Sequence, residues 1–235
     1  MYSFNSRVRY SESNEEGILS YASMIDYLQD CCTFQSEDLG VGLPYLREHK
    51  LGWFITSWDI KIRRLPAMGE KIKVSTWPYG FRGFLGNRNF TICDEAGGIL
   101  VEADSLWILM DLEKQMPKRL PEEMQQAFAL DPPLESNRKT GKLRPETEAE
   151  AVRDFVVDQT YVDSNHHMNN GYYVEAAAGE LPKGSSLTEI LVEYKKPAVL
   201  GDHIYCYRGE QGKVWQIVLG DEAKDPYAIL EFRGE

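Results

Sequence analysis

The chain has 235 residues, 43% of them hydrophobic, enough for one large domain or for two smaller ones sharing a core. A formal net charge of −11 argues against general nucleic-acid binding, and no stretch approaches the ~18 continuous apolar residues of a membrane span. Four cysteines are too few for a disulfide scaffold, the adjacent Cys31 and Cys32 are poorly placed to bridge each other, and the first residues carry no secretory apolar run, so the expected location is cytoplasmic.

In chain order, Ser20 can cap a helix whose residues Tyr21, Met24, Ile25, Leu28 and Cys32 fall at helical spacing, and Gly40 can end it. Trp58, Ile60 and Ile62 then alternate with polar residues, as do Ile72, Val74 and Thr76, the pattern of half-buried antiparallel strands. Residues 88 to 93 and 99 to 110 continue the sheet around Gly97-Gly98. The segment from 116 to 150 is charged and holds Pro117, Pro121, Pro132, Pro133 and Pro145, which reads as a linker. Beyond it, 153 to 162 has strand character, Asn169 to Ala178 helical character, and 187 to 196, 203 to 208, 213 to 219 and 227 to 232 strand character.

This second order of elements repeats the first. Ile62-Arg63-Arg64 and Met68-Gly69-Glu70-Lys71-Ile72 echo Tyr194-Lys195-Lys196 and Leu200-Gly201-Asp202-His203-Ile204, and Glu12-Ser13-Asn14 echoes Asp163-Ser164-Asn165. The expected organisation is an N-terminal unit over 1 to 115, a linker over 116 to 150 and a C-terminal unit over 151 to 235. Each is a sheet burying the apolar face of one principal helix, and the class is α+β.

The common hydrolase, nucleotide-loop and zincin signatures are absent, and the four histidines lack the spacing to cysteines of a zinc site, so neither metal nor cofactor is called for. What remains is Asp163-Ser164-Asn165-His166-His167-Met168-Asn169-Asn170, between a strand and a helix. Its Asp and Asn could simply cap and turn the chain. The histidines add a side chain suited to proton transfer near neutrality, and amides opening the next helix could receive an oxyanion. A run of seven cations, Lys61, Arg63, Arg64, Lys71, Lys73, Arg82 and Arg88, contains one acid, Glu70, and a shorter one follows at Arg138, Lys139, Lys142 and Arg144. Either solvated strand faces or a docking surface for an acidic partner would account for them.

The polar segment resembles the Asp-x-Asn-x-His-x-Asn-Asn motif of acyl-ACP thioesterases. Trp53-Phe54-Ile55, Pro66-Ala67-Met68-Gly69-Glu70, Ser105-Leu106-Trp107-Ile108-Leu109-Met110 and Glu193-Tyr194-Lys195-Lys196 are similar to that family in order and spacing. The resemblance implies a tandem double hotdog, each half a curved antiparallel sheet wrapped around a helix, that hydrolyses fatty acyl-ACP. It implies catalytic roles for Asp163, Asn165 and His167, with the substrate near Asn169 and Asn170. It also implies an acidic carrier as partner, which Arg63, Arg64, Arg82 and Arg88 would meet, and it leaves room for a homodimer. Plant members carry a Glu-Cys pair where this chain has Pro197-Ala198, which excludes a cysteine nucleophile there and leaves water or the Asp163 carboxylate to attack.

In the first half the positions equivalent to the motif are expected at Glu12, Asn14 and Glu16, without a histidine, so that half is expected to have lost catalysis, and the resemblance implies that it holds the acyl chain instead. Met24, Ile25, Leu28, Trp53 and Phe54 are either pocket residues or simple core. An acyl-CoA thioesterase and a catalytically silent acyl-thioester-binding module are the competing readings.

Overall fold

The computed structural model describes residues 1–137, 142–146 and 149–234. Ser20 caps the first helix, α1 (Tyr21–Asp38), by accepting the Ser23 amide at 3.2 Å, and the chain leaves it through Gly40 at φ 74°. Met24, Ile25, Leu28 and Cys31 make its buried stripe at helical spacing, each fully removed from solvent. Burial of this kind stabilises by about 1.5–3 kcal/mol for each large side chain. The stripe faces the strands β1 (Tyr2–Arg7), β2 (Leu51–Ile62), β3 (Lys71–Arg82), β4 (Leu85–Asp94) and β5 (Ile99–Asp111). A short helix, α2 (Leu43–Glu48), precedes β2.

The second half repeats the arrangement. Its strands are β7 (Glu150–Val156), β8 (Leu187–Tyr194), β9 (His203–Gln211), β10 (Val214–Gly220) and β11 (Pro226–Gly234), around α4 (Asn170–Ala178). The strand order is β1-β3-β4-β5-β2 in one half and, from the far edge, β7-β9-β10-β11-β8 in the other. Antiparallel pairing of β2 with β8, from Ser57 opposite Glu193 to Lys61 opposite Glu189, joins them into one sheet. The repeat extends to single hydrogen bonds: Gly69 N donates to Val8 O as Gly201 N does to Val157 O, each at 2.8 Å, and both glycines have positive φ.

Two segments differ from the sequence reading. The expected strand from 153 to 162 ends at Val156, because Asp158 accepts the Thr160 amide at 2.7 Å and turns the chain into a short 3-10 helix, Gln159–Tyr161. The expected linker begins as ordered structure: β6 (Met116–Pro117) pairs with β5, and α3 (Glu122–Ala127) buries Met124 with Leu120, Phe128, Val41, Leu51 and Leu109. Farther on it lies across the outer face of the sheet. There Leu134 N donates to Asn89 Oδ1 (3.0 Å), Leu143 N to Glu193 Oε2 (2.7 Å) and Glu146 N to Gln216 Oε1 (2.7 Å). This cover accounts for polar groups such as Asn89 and Gln216 being buried on that face, since main-chain donors replace the lost water. Arg138 and Lys139 of the second basic run lie outside the described residues. Among the described residues no helix is long and apolar enough to cross a membrane.

Candidate active site

Asp163 organises the loop that precedes α4. Its Oδ1 accepts the amides of Asn165 (2.8 Å) and His167 (3.4 Å), while its own amide donates to His167 O (2.8 Å) and its carbonyl accepts the His166 amide (3.0 Å). The closure forces His166 to φ 62°, a conformation that costs a residue with a Cβ. Beyond the loop, buried Met168 anchors the chain by donating its amide to Ala198 O at 2.8 Å, and Asn169 caps α4 by accepting the Gly171 amide at 2.7 Å.

The first half contains the same loop, in a register two residues away from the one expected. Asn14 Oδ1 accepts the amides of Glu16 (3.0 Å) and Ile18 (3.2 Å), Gly17 takes the positive φ, and Ser20 is the cap. Asn14, Glu16 and Ile18, rather than Glu12, Asn14 and Glu16, are therefore the counterparts of Asp163, Asn165 and His167. The similarity of Glu-Ser-Asn to Asp-Ser-Asn is local and misleading, because the hydrogen bonds set the register. The first half lacks the carboxylate as well as the imidazole.

The two helices cross where Gly171 meets Ala22: a Cβ on Gly171 would lie 2.8 Å from Ala22 O. At this crossing each helix receives a carboxylate from the other. Glu175 Oε2 accepts the Ala22 amide at 3.0 Å, and Asp26 Oδ1 accepts Asn169 Nδ2 at 3.3 Å, with burial raising the Asp26 pKa. Next to it Asn170 Nδ2 donates to Gln29 Oε1 at 2.6 Å, and Tyr194 OH donates to Asn170 O at 3.0 Å. Gln29 and Tyr194 thus fix the start of α4. Sequence reading missed both, since each lies far along the chain from its partner.

A cavity of about 980 Å³ opens beside this loop and runs between the halves. Asp163, Asn165, His167 and Asn170 line one part, and Trp53, Phe54 and Trp107 of the first half line another, the Phe54 and His167 ring centroids being 6.4 Å apart. Pro197 lines it as well, and Asp163 and Asp111 are the acids among its described lining residues. Met24, Ile25 and Leu28 do not reach it. Their stripe is buried against the sheet, and α1 turns its more polar flank, Gln29, Cys32, Thr33 and Ser36, to the cavity instead. Asn169 is used as a cap and does not line it.

The expected docking cations part company. Arg88 is buried: its Nη1 donates to Gln35 Oε1 (2.5 Å) and Thr76 Oγ1 (3.1 Å) on the cavity wall, so it cannot meet a partner protein. Arg64 holds Glu70 with two bonds of 2.7 and 2.9 Å, Arg63 lies 3.6 Å from Glu102, and Arg82 is exposed. All four cysteines are free, and burial pushes the thiols of Cys31 and Cys206 up to about 12.

Fold and site together define a double hotdog with one complete polar loop, set at a cavity that both halves line. The model of the acyl-ACP thioesterase N-terminal domain matches residues 1–128, and the chain belongs to the acyl-ACP thioesterase family. It is 24% identical over 212 residues to a chloroplastic palmitoyl-acyl carrier protein thioesterase of Cuphea hookeriana, covering 82% of this chain and 50% of that protein. A chloroplastic protein of the same name from Gossypium hirsutum is 24% identical over 215 residues, covering 83% and 52%. The chain thus spans about half the length of the curated relatives it matches. Among solved structures, an acyl-ACP thioesterase from Bacteroides thetaiotaomicron VPI-5482 superposes with a TM-score of 0.91 at 18% identity, covering 99% of this chain and 97% of that one. The 12:0-ACP thioesterase from Umbellularia californica superposes at 0.85 with 17% identity, covering 100% and 96%. At these identities the superpositions speak for the fold.

Proposed function

We propose that the chain hydrolyses fatty acyl-ACP thioesters to free fatty acid and holo-ACP in the cytoplasm, a reducing location that four unpaired cysteines suit. The observation that carries the reading is the shared cavity, which sets Asp163, Asn165 and His167 beside an apolar wall contributed by the other half. A polar end for the thioester and an apolar end for the acyl chain are what such a substrate needs.

In the proposed reaction the thioester carbonyl lies against the start of α4. The Asn170 amide has no intrahelical acceptor at that position and receives the developing oxyanion. Asp163 Oδ1 is occupied by two loop amides, and its Oδ2, 3.4 Å from Asn165 Nδ2, polarises the attacking water. Water oxygen bonds to the carbonyl carbon as its proton passes to the His167 imidazole, and the C–S bond breaks as His167 delivers that proton to the departing thiolate. Attack by Asp163 itself is less favoured, because acylation would remove the charge that the two amides stabilise. The intact Asp-Asn-His set argues against a silent binding module.

Release of free thiol from matched acyl-ACP and acyl-CoA tests the reading. Preferential turnover of acyl-ACP is expected. Equal or greater turnover of acyl-CoA would reassign the carrier, and no release from either would leave a binding module.

A further inference from the structure

Of the cations that sequence reading assigned to docking, all but Arg82 are badly placed for it. Arg63 and Arg64 follow the end of β2 opposite to Phe54, about 30 Å from it at ~3.3 Å per residue, and Arg88 is inside the protein. A set that includes Arg82 lies along one side of the cavity. Exposed Arg47 and Lys50, at the end of α2, line the cavity together with Leu112 and Gln115 from the turn after β5. Leu112 N donates to Lys50 O at 2.8 Å, which ties the two segments together. A Cβ on Gly52 would lie 3.0 Å from the Phe54 ring and 3.1 Å from Leu112, so Leu112 and Phe54 form one wall leading to His167.

Lys114, Lys118 and Arg119 continue along the same exposed segment, and Leu120 N, donating to Gly83 O at 3.0 Å, brings exposed Arg82 beside it. Residues 47–50, 82 and 111–119 hold six cations against three acids in a chain of net charge −11. One of those acids, Asp111, is spent on the turn, accepting the amides of Glu113 (3.1 Å) and Lys114 (2.9 Å). Among the described residues, none of the six cations lies within 4.0 Å of a carboxylate. By contrast Lys195 and Lys196, which also line the cavity, are paired with Glu193 and with Asp221 and Asp225.

We propose that this rim, Arg47, Lys50, Arg82, Lys114, Lys118 and Arg119, is the docking face for the acidic carrier protein, which presents its acyl arm to the adjoining mouth. The inference rests on the reading of acyl-ACP as substrate. Unpaired cations concentrated at the mouth overcome the repulsion between two acidic proteins and orient the carrier, an effect expressed in association rather than in chemistry.

The test compares the full chain with Lys114→Ser/Lys118→Ser/Arg119→Ser, none of which lines the cavity, and with Arg63→Ser/Arg64→Ser, on acyl-ACP and on an acyl-pantetheine lacking the carrier. At low ionic strength the triple variant should raise KM for acyl-ACP by about tenfold. Its turnover of acyl-pantetheine should be unchanged, which also reports that it is folded. The difference should shrink in 1 M salt, where screening shortens to ~3 Å, and the Arg63/Arg64 variant should match the unaltered chain. An unchanged KM in the triple variant, or an equal rise in the Arg63/Arg64 variant, would overturn the docking face alone. An unaltered chain that turns over acyl-pantetheine without preferring acyl-ACP would overturn the substrate reading and the docking face with it.

Discussion

Asp163 reaches His167 through the main chain: the carboxylate accepts the His167 amide at 3.4 Å, and no side chain among the described residues hydrogen-bonds the His167 ring. In the first half Asn14 makes the same pair of amide contacts with a neutral side chain. The structural job of this position therefore needs an oxygen acceptor, and the charge is left for chemistry. Asp163→Asn should keep the unfolding midpoint of the parent while lowering kcat by ~10²–10⁴, the range typical of acid-base residues. Loss of folding in that variant would show that the charge is needed for structure.

His167→Ala should lower kcat by a similar ~10²–10⁴ with the fold intact, whereas His166→Ala should cost far less. His166→Gly bears on the loop itself. Gly17 occupies the equivalent place at φ 72°, so glycine should relieve His166 of its φ of 62° and stabilise the protein by about 0.5–1 kcal/mol in chemical denaturation. Destabilisation would mean that the imidazole makes a contact worth more than the strain.

Gly171→Ala should destabilise by about 1–3 kcal/mol, because the new methyl meets the backbone of Ala22, which has no rotamer with which to yield. A shift of α4 would also move Asn170 from Gln29, so kcat should fall along with the denaturation midpoint. An unchanged midpoint would contradict the close crossing.

Asp104 lies opposite Asp59 on β2, and its carboxylate accepts from Tyr79 OH and Asn89 Nδ2, each at 3.2 Å, with Lys61 3.9 Å from Asp59. Burial, more than the neighbouring Asp59 charge, pushes the Asp104 carboxyl up to about 6. A raised carboxyl pKa contributes stability that is complete below the unfolded value near ~4 and is lost as pH rises through the folded value. Thermal unfolding should therefore occur at lower temperature at pH 8 than at pH 5 by this contribution. Asp104→Asn should flatten that difference, by about 2–4 °C for each kcal/mol recovered. An unaltered pH profile would remove Asp104 as its source.

Much of this was legible in the sequence because it is written locally. Ser20 and Asn169 announce their helices, Gly69 and Gly201 mark the same turn in both halves, and the motif from Asp163 to Asn170 carries its capping and turning residues within a few positions. What could not be read depends on partners far along the chain. Arg88 has the alternation of an exposed strand residue, and only contact with Gln35 of α1 shows that it points inward. The helical spacing of Met24, Ile25 and Leu28 marks the flank of α1 against the sheet, but the position of the cavity beside the other flank follows from how two halves meet. The segment after Phe128 looks like a linker because its order comes from main-chain bonds to Asn89, Glu193 and Gln216, which leave no periodic trace.

The measurement that bears most directly on the proposed reaction is the release of free fatty acid from purified acyl-ACP by the unaltered chain and by His167→Ala under single-turnover conditions. Complete conversion by the unaltered chain, and a rate ~10²–10⁴ lower in a variant with the same unfolding midpoint, is the predicted result. Equal rates in the two proteins would place the chemistry outside the Asp163 to Asn170 loop and contradict the account.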